Sequence, residues 1–126
     1  MELTGIDHLV ITVSDVEATC AFYEELGAET VTFGDDRRAV RFGDQKINVH
    51  PTDNDIDLVA DRPTVGGGDF CLTTETPIED VEARLAELGV EIIEGPVERT
   101  GAVGPITSVY FRDPDDNLVE IATYDE

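Results

Sequence analysis

Three residues stand out as able to do chemistry together: His8, His50 and Glu120. His8 and His50 are the chain's only two histidines. Glu120 lies in Leu118-Val119-Glu120-Ile121-Ala122, a carboxylate among apolar neighbours on a stretch with strand character. Strand side chains alternate between faces. If Val119 and Ile121 face a core, Glu120 faces the other way. Two imidazoles and one carboxylate make an open three-ligand set, with positions left for water or substrate. Such a set suits one divalent ion of Fe, Mn, Zn, Ni or Co, and ligand type does not choose among them. The plain alternative is two surface histidines and a solvated glutamate.

The elements that position these residues follow from period and punctuation. Ile6 to Val13 reads as a strand, with Leu9, Ile11 and Val13 on one face and His8, Val10 and Thr12 on the other. Ser14-Asp15 signals a helix start, Val16 to Leu26 is helical, and Gly27 fits its end. Strands follow at Ala28 to Phe33, Ala39 to Phe42 and Lys46 to His50, with turns at Gly34-Asp35-Asp36 and Gly43-Asp44. Residues 51–68 carry two prolines, Gly66-Gly67-Gly68 and many aspartates, which is linker composition.

The pattern then repeats. At an offset of 62, Asp7 meets Asp69, Thr12 meets Thr74 and Glu25-Leu26-Gly27 meets Glu87-Leu88-Gly89. The second half reads as a strand from Asp69 to Glu75, a helix from Pro77 to Leu88 and a strand from Val90 to Glu94. A loop from Gly95 to Pro105 leads to a closing hairpin around Asp113-Pro114-Asp115-Asp116-Asn117. The chain is a tandem βαβββ duplication within one 1–126 domain: modules at 4–50 and 69–124, linker at 51–68. Paired side by side, the modules would form a curved eight-stranded mixed sheet of α+β class, with a concave cleft. In the repeat His8 matches Phe70 and His50 matches Glu120, all on the inward face. Arg41, Asn48, Ser108 and Tyr110 are weaker candidates for the same cleft. Arg41 could hold an anionic or enolate substrate, or be a solvated edge residue.

Composition narrows the partners. Twenty-nine acidic residues against eight basic ones give a net charge of −21, and Lys46 is the only lysine. Nucleic acid and anionic membranes are repelled by such a surface. An acid-rich, lysine-poor chain suits roughly molar salt, where the Debye length falls to about 3 Å. The absence of a long apolar run or a signal-like start gives a cytoplasmic expectation. Cys20 and Cys71 lack metal or disulfide spacing and read as buried small hydrophobes.

The βαβββ repeat resembles the vicinal oxygen chelate superfamily of glyoxalase I, extradiol dioxygenases, fosfomycin-resistance and bleomycin-binding proteins. The likeness covers essentially the whole chain. Ile6-Asp7-His8-Leu9-Val10, Phe42-Gly43-Asp44-Gln45-Lys46-Ile47-Asn48-Val49-His50, Glu94-Gly95-Pro96-Val97-Glu98-Arg99-Thr100-Gly101 and Phe111-Arg112-Asp113-Pro114-Asp115 look most like glyoxalase domain-containing protein 5. The resemblance implies metal ligands at His8, His50 and Glu120. Glu120 doubles as a detachable base, and the substrate is small and chelates through two neighbouring oxygens. It also implies a homodimer. Phe70 departs from the pattern because a phenyl ring cannot bind metal, and His50 stands where glyoxalase I has a glutamate. Both put glyoxalase I activity in doubt. The other expectation from the resemblance is a bleomycin-resistance-type protein that sequesters a ligand without catalysis. A structural metal is a third.

Overall fold

The computed structural model describes residues 1–124. Ten elements run in the order β1 (His8–Val13), α1 (Val16–Glu25), β2 (Glu29–Phe33), β3 (Arg37–Phe42), β4 (Gln45–Pro51), β5 (Asp69–Thr73), α2 (Ile78–Glu87), β6 (Glu94–Thr100), β7 (Pro105–Arg112) and β8 (Leu118–Tyr124). This is the expected α+β class and the tandem βαβββ order. The eight strands form two mixed sheets of four, ordered β1-β4-β3-β2 and β5-β8-β7-β6, in place of one sheet of eight. The chain divides into two compact units, residues 1–67 and Gly68 onward. Among the described residues no helix is long and apolar enough to cross a membrane.

In unit 1 the helix start is set by Asp15, which is extended and whose Oδ1 accepts the Ala18 N–H at 3.0 Å. One sheet face then packs under α1. Ile11, Val13, Cys20, Tyr23, Val40, Ile47 and Val49 are all buried there. The β3–β4 hairpin closes between Phe42 and Gln45 on the two-residue turn Gly43-Asp44, where Gly43 takes φ 59°.

Unit 2 repeats the plan with different joints. Val81, Leu85, Val109, Phe111 and Val119 form its buried core. The β7–β8 turn is a network in place of a tight hairpin. The Asp113 carboxylate accepts from the backbone N–H of Asp115 and Asn117 at 2.9 and 3.0 Å, and from the Asn117 side chain at 2.9 Å. Asn117 Oδ1 in turn accepts the Gly68 N–H at 2.6 Å, fixing the start of β5 to the turn. Both Asp113 and Asn117 are buried, so the bonds are not optional.

The strand expected at Val90 to Glu94 begins only at Glu94 and runs on to Thr100. Sequence reading made Gly95 to Pro105 a loop because of Gly95 and Pro96. Pro96 is tolerated because β6 is an edge strand, whose outward side needs no donor. A register shift between Glu94 and Val97 absorbs the interruption. Gly95 is required there: it takes φ 114°, and a Cβ would collide with the Ser108 carbonyl oxygen.

Candidate functional site

The helix-free face of each sheet carries the chemistry-bearing side chains. In unit 1, parallel pairing sets His8 beside Lys46, Val10 beside Asn48 and Thr12 beside His50. The rows continue through β3 and β2 as Lys46–Arg41–Glu29 and Asn48–Ala39–Val31. Arg37 belongs to this face as well, opposite Phe33 and one step beyond the Arg38–Val49 pair. Arg38 points to the other face, where it binds Glu17 of α1 at 2.6 Å.

His8 and His50 share the face but not a position. Four register steps separate them, about 13 Å of backbone at roughly 3.3 Å per residue. His8 is exposed and bonds Asp7 at 2.8 Å. His50 is 6% exposed, and its Nε2 is buried without a hydrogen-bond partner. Burial, and then the Arg37 charge, push the His50 imidazole below the usual histidine range, so the neutral form prevails near pH 7. Asn48 is 8% exposed and its Oδ1 is likewise unpartnered. Arg41 is held by Glu29 at 2.7 Å, and the Lys46 ammonium sits 3.7 Å over the Phe33 ring.

In unit 2, one row crosses the whole sheet: Cys71 on β5, Glu120 on β8, Tyr110 on β7 and Glu94 on β6. Fully buried Ser108 donates its hydroxyl to Glu120 Oε2 at 2.6 Å, a short charge-assisted bond that fixes the carboxylate. Tyr110 and Cys71 flank Glu120 in this row, and its carboxylate helps raise the pKa of both. Arg99 donates to Tyr110 Oη at 3.2 Å and to Glu94 at 3.1 Å. The Cys71 thiol is pushed up to about 11, by desolvation first and by the Glu120 carboxylate second. The Tyr110 phenol is raised chiefly by desolvation, with the Arg99 hydrogen bond pulling the other way.

Two sequence expectations change here. Phe70 was assigned to the cleft face. The register puts it beside Val119, with Leu72 beside Ile121, on the helix-covered face. The face of Glu120 receives Asp69 and Cys71 from β5. The offset of 62 matches the two helices but is one residue out for the strand, and one residue reverses every side chain. Cys71, expected to be buried, is exposed, whereas Cys20 is buried as expected. Arg37, Lys46, Cys71, Asp69 and Arg99 were missed. For Cys71 and Asp69 the signal existed: Phe70 and Leu72 alternate with Asp69, Cys71 and Thr73 as apolar against small or polar.

A divalent ion is what the donor types suit. An unpartnered buried imidazole nitrogen and a half-buried carboxylate are the groups such an ion takes. Their placement is less complete. Among the described residues no group of three His, Cys, Asp or Glu stands close enough to hold a metal.

The profile of the Glyoxalase/Bleomycin resistance protein/Dioxygenase superfamily matches residues 5–121, and the chain belongs to that superfamily. It is 53% identical over 125 residues to the virulence protein STM3117 of Salmonella typhimurium, covering 98% of this chain and 87% of that one. It is 44% identical to the glyoxalase domain-containing protein RDO1 of Mycosarcoma maydis, covering 100% of this chain and 72% of that one. Among solved structures, an integron cassette protein from the mobile metagenome of V. cholerae superposes with a TM-score of 0.96. The two are 48% identical, over 99% of this chain and 98% of that one. Members of the superfamily bind small molecules, typically use a divalent metal and often form dimers.

Proposed function

We propose that this chain is an enzyme acting on a small substrate with two neighbouring oxygens, and that Glu120 handles the proton. The observation that carries the reading is the setting of Glu120. It is half-buried and oriented by a buried Ser108 hydroxyl, with Cys71 and Tyr110 as its neighbours on the two adjoining strands. A carboxylate held this way is a preorganised base, and the same protic groups can return the proton. Arg99, bonded to the Tyr110 oxygen, holds that phenol in place. His8, His50 and Glu120 are the residues assigned to a divalent ion. Such an ion would supply Lewis acidity. Isomerase or lyase outcomes and oxygenase outcomes share the first proton transfer.

The competing reading, sequestration of an aromatic ligand, expected Phe70 and Tyr110 in one cleft. The helix-side position of Phe70 removes half of that support.

The test is metal content by mass spectrometry on untagged protein prepared in molar KCl, with turnover followed on a panel of vicinal diols and hydroxy acids. Near one ion per chain, lost in His50→Ala and Glu120→Ala, supports the assignment. Glu120→Gln is expected to lower turnover by about 10²–10⁴-fold. Full activity in Glu120→Gln would sink the proposal.

A further inference from the structure

The open face of unit 1 runs against the composition of the whole chain. The protein carries 29 acidic and eight basic residues. Yet Arg37, Arg41 and Lys46 lie on this one face with both histidines, and among the described residues Glu29 is the one carboxylate at its paired strand positions. Glu29 is taken up by Arg41. Arg37 and Lys46 take part in no ion pair among the described residues. Random placement in so acidic a chain would have put carboxylates here. Concentrated positive potential on one face attracts and orients anions.

Two further observations point to a ligand. The buried polar atoms without partners on this face are Asn48 Oδ1 and His50 Nε2, on residues 8% and 6% exposed. Burying such groups unpaired is unfavourable, so each points to a missing partner. They sit two residues apart on β4, so both point the same way. A cavity of about 550 Å³ reaches His50 and Arg37 at one end of this face; Glu17, Arg38 and Val49 line it from the helix side, alongside exposed Asp35, Asp36, Asp53 and Asp55. Those acids disfavour a polyanion. They leave room for a compact monoanion that reaches Arg37.

We propose that the open face of unit 1 binds a small α-hydroxycarboxylate. Its carboxylate pairs with the Arg37 guanidinium and, in the metal-free protein, accepts the His50 Nε2–H, while its hydroxyl donates to Asn48 Oδ1. Lys46 and Arg41 supply the field that draws the anion in. This names a substrate class for the proposed enzyme. It rests on that reading for turnover only, and binding stands without it.

The experiment is calorimetric titration of the full-length, chelator-treated protein with three matched probes: glycolate, acetate and ethylene glycol. Glycolate is expected to saturate one site per chain. Acetate, lacking the hydroxyl, should bind about tenfold more weakly, the worth of one hydrogen bond. Ethylene glycol should not bind. Arg37→Gln should weaken glycolate at least tenfold, and Asn48→Ala should erase the preference over acetate. Arg84→Gln, on α2 and paired with Glu87, should change nothing. Circular dichroism checks that each variant is folded. Ethylene glycol binding as well as glycolate, unchanged affinity in folded Arg37→Gln, or no glycolate binding would each overturn the proposal. Glycolate binding in a protein that takes up no metal would defeat the metal assignment and leave this site standing. Metal uptake and turnover without glycolate binding would do the reverse.

Discussion

The two units share one plan, four strands under one helix, but they equip the open face differently. Unit 1 gathers cations there and leaves Asn48 and His50 with buried, unpartnered atoms. Unit 2 gathers protic groups around one carboxylate, with Ser108 bonded to Glu120 and with Tyr110 and Cys71 beside it in its row. The first arrangement waits for a partner; the second is internally satisfied. The shared plan sets the scaffold, while the helix-free faces carry different chemistry, buried Asn48 and His50 in one unit and buried Ser108 beside Glu120 in the other.

The joints differ in the same sense, and that gives the largest stability contrast. Asn117→Ala should destabilise the protein by about 2–4 kcal/mol, because it leaves the Gly68 N–H and part of the Asp113 carboxylate buried and unpaired. The matching change in unit 1, Gly43→Ala at φ 59° with nothing within 4 Å of the new Cβ, should cost only about 1 kcal/mol. Urea denaturation of both variants checks this, and equal losses would erase the contrast between a network turn and a tight one.

Thiol chemistry probes unit 2 next. With its thiol pushed up to about 11, Cys71 of the metal-free protein should alkylate with iodoacetamide at pH 8 on the order of a hundredfold more slowly than a free thiol. Glu120→Gln should speed it, since the one charge that raises it is gone. A rate equal to that of a free cysteine would mean that Glu120 does not govern its row.

The smallest effect belongs to His50. Its folded-state affinity for a proton is lowered, by burial first and Arg37 second. The unfolded chain therefore binds the proton more readily. The stability contributed by neutral His50 is complete above the ordinary histidine value of about 6.5 and is lost as pH falls below it. Denaturation midpoints between pH 7.5 and pH 5.5, both on the order of the histidine range, should drop less in His50→Gln than in wild type. Identical slopes would show that His50 is not held neutral by its surroundings.

Much of this was legible in the residues. Period two placed Leu9, Ile11, Val13, Ile47 and Val49 against a helix. The Asp15 cap and the Gly43-Asp44 turn followed from local chemistry. Local signals failed where a partner strand decided the outcome. Pro96 looked like a loop until an edge position gave it nowhere to need a donor. Phe70 looked inward until the pairing with β8 fixed its side. Asp113 and Asn117 looked like ordinary turn residues, and only burial made them a network.

What the sequence by itself determined is therefore the order of elements, the duplication, the acidic surface and the family, because all are written in composition and short-range period. What only the tertiary structure decided is register. Register set His8 four steps from His50, brought Cys71 beside Glu120 in place of Phe70, and collected Arg37, Arg41 and Lys46 on one face. The physical reason is that hydrogen-bonded pairing between strands distant in sequence is chosen by the sum of many contacts. A slip of one residue, invisible in the local pattern, turns every side chain to the opposite side.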